Sequence, residues 1–211
     1  MSKLLVDNRE IEAAEGASLL DACLDNGIYI PNLCYIKDMA EPPASCRLCF
    51  VEVEGEERPV PSCTVTVRDG LVVRTDTPAV RDLQRAAFRL LMSVHDVDCA
   101  NCPANRKCEL QKIAGFLRVG LKPTGLDQYL KQPDVVKEHP FIWYYPNRCV
   151  LCGRCVHTCV EKHGRPIMDF ARRGFDTIIS LFGGENASPD TCETCLECTR
   201  VCPVAALLPS P

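Results

Sequence analysis

The sequence predicts an α+β protein assembled from several small modules rather than one packed around a single large core. Three observations carry this expectation. The chain has 211 residues and 16 cysteines, and all but Cys23 fall into tight groups along it. Residues 1 to 77 read as short strands and turns around one short helix, whereas residues 78 to about 118 show helical spacing. Proline and glycine interrupt the chain between the cysteine groups, as expected where one module gives way to the next.

Composition removes several function classes. The formal charge is −4, with Lys and Arg scattered rather than striped, so there is no electrostatic footprint for nucleic acid. No window approaches the roughly 18 consecutive apolar residues of a membrane span. Met1 to Val6 runs straight into Asp7, which is not the start of a secretory leader. These features predict a cytoplasmic, reducing setting, in which grouped cysteines serve as metal ligands rather than disulfides.

In the first module, Lys3 to Val6 and Ile11 to Ala13 flank Asp7-Asn8-Arg9, a turn between two strands. Ser18, with Asp21 three residues on, resembles a capping box, and Gly27 stands where a helix stops, predicting a helix over Leu19 to Asn26. Cys23 lies on the apolar face of that helix with Leu19, Leu20 and Leu24, and reads as a core thiol. Cys34, Cys46, Cys49 and Cys63 follow at C-x11-C-x2-C-x13-C, the first three in a loop around Glu41-Pro42-Pro43. Strands are expected at Leu48 to Val53, Val60 to Val67 and Leu71 to Val73. Four thiolates from one loop and a strand end suit a 2Fe-2S rhomb, with two per iron. A tetrahedral zinc site remains the alternative.

Thr77-Pro78 offers an N-cap and a first-turn proline, and Val80, Leu83, Ala87, Leu90, Leu91 and Val94 recur at helical spacing, predicting a helix to about His95. Then come Cys99, Cys102 and Cys108, with Pro103 among them and a second helical stretch through Leu110, Ile113 and Leu117. Three cysteines need a fourth ligand, and His95 is the local group able to supply one through a neutral imidazole nitrogen. A zinc site and a 4Fe-4S cluster both fit three cysteines and a histidine. A histidine that merely ends the helix is the other reading of His95. If it is a cluster ligand, replacing a thiolate by imidazole removes negative charge and raises the potential. Residues 119 to 138, interrupted by Pro123, Gly125 and Pro133, read as a connector crossing the surface.

Cys149, Cys152, Cys155, Cys159 and Cys192, Cys195, Cys198, Cys202 both read C-x2-C-x2-C-x3-C, the second followed by Pro203. This spacing places three thiolates around one 4Fe-4S cube and sends the fourth to the cube beside it. Cys149, Cys152, Cys155 and Cys202 would thus hold one cube, and Cys192, Cys195, Cys198 and Cys159 the other. Between the runs lie Phe170, Phe175, Ile178, Ile179 and Phe182. The aromatic run Phe141 to Tyr145 reads as a strand beneath the first cluster. Arg148, Arg154 and Arg200 stand beside ligands, either moderating cluster charge or simply solvated.

Over essentially its whole length the set of spacings resembles the small iron–sulfur subunit of the diaphorase module in cytoplasmic NAD-reducing nickel–iron hydrogenases. It is also similar to the N-terminal region of the complex I large iron–sulfur subunit and to the accessory domains of iron-only hydrogenases. The resemblance implies a β-grasp 2Fe-2S ferredoxin-like domain over 1–77 and a small helical histidine-ligated 4Fe-4S domain over 78–118. A connector over 119–138 and a two-cluster 4Fe-4S ferredoxin-like domain over 139–211 complete it. It makes Cys34, Cys46, Cys49 and Cys63 the 2Fe-2S ligands, and His95, Cys99, Cys102 and Cys108 those of the next cluster. Cys23 matches no ligand. Complex I subunits and iron-only hydrogenases continue well past the equivalent of Pro211, and complex I relatives usually lack a complete second cysteine run. Both departures point toward hydrogenase-type or bifurcating assemblies.

No G-x-G-x-x-G, P-loop or leftover ligand set for nickel or molybdenum is present, so one-electron transfer is the expected activity. The resemblance implies a flavin/NAD-binding diaphorase subunit at the 2Fe-2S end and hydrogenase subunits at the other. An NAD-dependent formate dehydrogenase, an electron-bifurcating complex and a free multi-cluster carrier are the competing assignments.

Overall fold

The computed structural model describes residues 1–122, 124–181 and 189–211; Pro123 and Phe182 lie outside the described residues. The chain forms two compact units, Met1–Leu90 with Gly115–Val119 and Leu91–Ala114 with Gly120–Pro211. Both mix helix and strand.

In the first unit, β1 (Ser2–Val6) and β2 (Arg9–Ala13) form an antiparallel hairpin. Asp7 and Asn8 turn it at φ 49° and 66°, the left-handed conformation that a two-residue hairpin demands. β3 (Phe50–Val53), β4 (Val60–Pro61) and β5 (Leu71–Arg74) complete a five-stranded sheet in the order β2-β1-β5-β3-β4. β1 and β5 pair in parallel and the other neighbours antiparallel. Alternation along β1 buries Leu4 and Val6, which share one core with Val51, Val53, Leu71 and Val73.

The same core takes the buried face of α1 (Leu19–Asp25), namely Leu19, Leu20, Ala22 and Cys23. Each fully buried leucine there contributes about 1.5–3 kcal/mol. Ser18 caps the helix by accepting from the Leu20 N–H at 3.2 Å. The expected reciprocal half of the box is absent, because the Asp21 carboxylate accepts from the Tyr35 hydroxyl instead. The residues around Val65 and Val67 carry no strand; a 3-10 turn over Ser62–Thr64 takes the chain off the sheet. Cys63 therefore sits on a turn rather than a strand end.

α2 (Pro78–Met92) starts where Thr77 accepts from the Val80 N–H at 3.2 Å. It stops three residues before the expected end, so His95 stands in a turn whose N–H donates to the Met92 carbonyl. α3 (Glu109–Leu117) follows the cysteines at 99–108.

In the second unit, β6 (Ile142–Tyr144) pairs antiparallel with β9 (Leu207–Pro209), and β7 (Met168–Ala171) with β8 (Ile178–Leu181). α4 (Arg154–His163), α5 (Pro189–Cys195) and α6 (Glu197–Arg200) carry cysteines from both runs. Residues 119–138 carry no helix or strand where described, yet they do more than cross a surface. Lys131 is buried, the Tyr129 N–H donates to the Ser93 carbonyl, and Val136 bridges Tyr144.

Candidate metal centres

The first candidate centre hangs from the sheet. Cys34, Cys46, Cys49 and Cys63 are all buried, and their sulfurs approach in pairs, Cys34 to Cys46 at 3.5 Å and Cys49 to Cys63 at 3.4 Å. Two thiolates on one tetrahedral iron stand at a similar spacing, since each Fe–S bond is short. The pairing therefore fits a rhomb with one pair on each iron.

Proton sharing within each pair holds one sulfur down and the other up. The hydrogen bond with Cys46 lowers Cys34 to about 5 against the opposing effect of burial, and Cys63 lowers Cys49 in the same way. Cys46 and Cys63 are raised, first by the shared hydrogen bond and then by burial. The Ser62 hydroxyl is buried with no oxygen or nitrogen partner and lies against the Cys49 sulfur, helping to lower it.

Of the second set, Cys99, Cys102 and Cys108 lie near one another between α2 and α3, while His95 stands in the turn after α2 with Arg148 and Asp96 as its polar neighbours. Cys99 opens a 3-10 turn over Cys99–Asn101, and the Cys102 N–H donates to the Cys99 carbonyl. The Cys108 carbonyl accepts from the Lys112 N–H at the start of α3, and its sulfur faces the Leu110 and Gln111 amides. Burial nevertheless dominates and raises the Cys108 thiol. His95 is 9% exposed, and burial, its largest influence, lowers its pKa and keeps the ring neutral near pH 7. Its Nδ1 lies 3.0 Å from the Arg148 carbonyl oxygen. A carbonyl only accepts, so Nδ1 carries the proton and Nε2 keeps the lone pair that a metal would use.

The eight remaining cysteines ring two cavities. Cys149, Cys152, Cys155 and Cys202 line one, with Tyr144, Val204 and Leu207. Cys159, Cys192, Cys195 and Cys198 line another, with Ile142 and Met168. Each cavity thus draws three cysteines from one run and one from the other. Among the described residues, no three His, Cys, Asp or Glu side chains converge on a single-ion centre; the sulfurs stand around a space instead. Burial raises the Cys152 and Cys198 thiols to about 12 and Cys155 further. Such thiols stay protonated until bound cations displace the protons.

Local backbone explains how the short loops turn their sulfurs inward. Arg47, Leu151, Leu196 and Ala205 have φ of 54°, 51°, 47° and 51°, a conformation costing a non-glycine residue roughly 1–2 kcal/mol. Each lies in or just after a cysteine pair, and the resulting turns aim amides at sulfur. The Leu151 N–H donates to Cys149 Sγ at 3.4 Å, and the Ala206 N–H to Cys202 Sγ at 3.2 Å. Gly153 has φ 76° and its backbone lies so near Phe170 that a Cβ would stand 3.4 Å from the ring. The Arg154 Nε is buried without a hydrogen-bond partner, and its guanidinium helps lower the neighbouring Cys152 thiol. Orphaned donors and inward amides of this kind fit an anionic group among the sulfurs.

β6 alternates across these cavities: Ile142 lines one, Tyr144 the other, and Trp143 faces away with Lys137 Nζ 4.0 Å from its ring. The Tyr144 hydroxyl accepts from the Ile179 N–H and lies against Cys149. Arg148 stacks on Tyr145 and Arg200 pairs with Glu197. Cys23 touches none of these groups; burial raises it to about 12, which leaves the thiol inert. Ser62, Tyr144 and the left-handed residues had no signature in spacing, although the aromatic run marked the strand that carries Tyr144.

Comparison with known proteins agrees with this chemistry. Residues 1–78 match the 2Fe-2S iron-sulfur cluster binding domain, and residues 84–121 the NADH-ubiquinone oxidoreductase-G iron-sulfur binding region. The chain is 36% identical over 211 residues to an NADH-quinone oxidoreductase subunit of Rhizobium meliloti, covering all of this chain and 24% of the relative. It is 31% identical over 219 residues to the NADP-reducing hydrogenase subunit HndD of Solidesulfovibrio fructosivorans, covering 99% and 36%. The chain thus spans about a quarter to a third of the length of these curated relatives. A crystal structure of NAD+-reducing [NiFe]-hydrogenase in the H2-reduced state superimposes with a TM-score of 0.86 at 28% identity, covering 99% of this chain and 87% of that one. The chain is related to the iron–sulfur subunits of NADH- and NADPH-linked oxidoreductases and hydrogenases, and 2Fe-2S and 4Fe-4S binding domains are present in it.

Proposed function

We propose that this relative of NAD(P)H-linked iron–sulfur subunits relays electrons through four clusters between a flavin/NAD-binding diaphorase subunit and a hydrogenase catalytic module. Cys34 and Cys46 hold one iron of a 2Fe-2S cluster and Cys49 and Cys63 the other. His95, Cys99, Cys102 and Cys108 hold one 4Fe-4S cluster. Cys149, Cys152, Cys155 and Cys202 hold a second, and Cys159, Cys192, Cys195 and Cys198 a third. The observation that carries the reading is the crossing of the two C-terminal runs, three cysteines and one, around separate cavities.

A bound iron–sulfur cluster supplies a centre that gains or loses one electron at a time. The chain's own residues set its environment. Thiolates fix its place, apolar walls such as Ile142, Tyr144 and Leu207 keep water out, and the inward amides of Leu151 and Ala206 offset negative charge. Tunnelling falls steeply with distance, which accounts for several centres in one short chain.

Metal analysis tests the reading directly. The purified protein should carry about 14 irons per chain with matching sulfide, and stoichiometric zinc in their place would overturn it. Within the assembled complex, loss of the 2Fe-2S site should abolish NADH-linked activity and spare hydrogen oxidation with an artificial dye. Loss of both activities would contradict the direction of the relay.

A second reading keeps the wire and changes the terminal partner to a formate dehydrogenase or an electron-bifurcating complex. Identities of 36% to a quinone oxidoreductase subunit and 31% to a hydrogenase subunit do not single out a hydrogenase as that partner. The chains that co-purify distinguish the two, and a native mass of the lone chain would instead favour a free carrier.

A further inference from the structure

Asn147 is 5% exposed and belongs to none of the four ligand sets, yet it ties together three stretches of chain. Its side chain accepts from the Lys131 N–H at 2.6 Å and donates to the Lys131 carbonyl at 3.0 Å and to Asp134 Oδ1 at 3.1 Å. Its main-chain carbonyl accepts from the Asp96 N–H at 2.7 Å. The next carbonyl, that of Arg148, faces His95 Nδ1 at 3.0 Å. His95 and Asp96 are therefore held against Asn147 and Arg148 by two adjacent rungs. Gln128 closes the arrangement by donating Nε2–H to the His95 carbonyl at 3.0 Å.

Removing the Asn147 amide leaves the buried Lys131 N–H and carbonyl without these partners, which is unfavourable for polar groups shielded from water. The segment carrying the Arg148 carbonyl then keeps only its main-chain bonds, among them that from the Asp96 N–H, and loses the side-chain brace to residues 131 and 134 that limits its movement against the imidazole. We propose that Asn147 is a positioning residue for His95: by holding the Arg148 carbonyl on Nδ1, it sets the tautomer, orientation and donor strength with which Nε2 meets iron. The inference rests on the reading of His95 as a cluster ligand. A hydrogen bond from the far nitrogen makes a ligating imidazole more basic, and a more basic ligand favours the oxidised metal. Loosening that bond moves the reduction potential upward.

The test uses the cluster-loaded protein and compares wild type, Asn147→Ala, Asn147→Gln, His95→Cys and His95→Cys combined with each Asn147 variant. Redox titration followed by electron paramagnetic resonance reads the potential, and nitrogen hyperfine spectroscopy reads the imidazole–iron bond. Asn147→Ala should raise the potential of the histidine-ligated cluster, change its nitrogen coupling and leave the other three signals in place. Asn147→Gln keeps a neutral amide with both the acceptor and the donors and should restore part of the shift. In the His95→Cys background neither Asn147 variant should move that cluster's potential further, because no imidazole remains to be oriented. If Asn147→Ala fails to load, the Gln variant carries the same comparison. An unchanged potential, or an equal shift in both backgrounds, overturns the proposal. If His95→Cys leaves that cluster's signal as in wild type, the ligand assignment itself falls, by a different observation.

Discussion

The sulfurs at the N-terminal and C-terminal candidate centres are organised in opposite ways. Cys34, Cys46, Cys49 and Cys63 approach in two contacts of 3.4–3.5 Å, each of which already has the spacing of two ligands on one iron. The C-terminal cysteines stand around two cavities, and each ring takes a member from the other run. One centre is closed by pairs in a single loop and turn; the other two are closed by exchange. On the proposed assignment, a change at one of the first four cysteines is confined to that centre. At the C-terminus, the same assignment has the damage follow the cavity and not the cysteine run.

The largest expected effect tests that exchange. Cys159→Ser combined with Cys202→Ser should remove about 8 irons per chain, one ligand having been lost from each cube, whereas Cys149→Ser with Cys202→Ser should remove about 4. Iron and sulfide analysis of the two double variants reads the difference, and equal losses would break it. Next in size, Cys34→Ser should remove only the 2Fe-2S signal, about 2 irons, while every 4Fe-4S signal persists in the same spectra.

Smaller effects concern stability. Cys23→Ser places an unpartnered hydroxyl at a fully buried position and should cost about 1–3 kcal/mol in thermal or denaturant unfolding, with iron content unchanged. A loss of iron would make Cys23 more than a packing group. Gly153→Ala places a Cβ on a backbone at φ 76°, and should destabilise the protein by about 1 kcal/mol or more. The readout that localises this effect is selective lability of one 4Fe-4S signal under mild chelation, with the 2Fe-2S signal unaffected.

Much of the architecture was legible in the sequence because it follows periodicity and spacing. The Asp7-Asn8 turn, the Ser18 and Thr77 caps and the strand at Ile142–Tyr144 all have local signatures. The grouping of eight cysteines around two cavities likewise follows from the length of the final x3 step. What spacing does not convey is backbone handedness. Arg47, Leu151, Leu196 and Ala205 adopt positive φ without glycine; in two of these turns an amide, of Leu151 and of Ala206, donates to a cysteine sulfur. Asn147 was hidden for a related reason: its partners, Lys131 and Asp134, lie 16 and 13 residues away, in a stretch with no helical or strand period to mark it as packed. The early end of α2 and the turn at Ser62–Thr64 are also tertiary choices, made where the backbone must present His95 and Cys63.

The crossing of the two cysteine runs also sets a clock on the birth of the protein. Ribosomes add roughly 5–20 residues per second, so Cys202 is made about 3 to 10 s after Cys149. Until it emerges, Cys149, Cys152 and Cys155 form a three-armed ring with no fourth arm, while Cys159 waits for partners not yet made. The N-terminal quartet is finished once Cys63 has left the exit tunnel. On the assignment proposed above, cofactor delivery can thus begin on the nascent chain at the first quartet, whereas the paired cavities can be filled only after Cys202 has emerged.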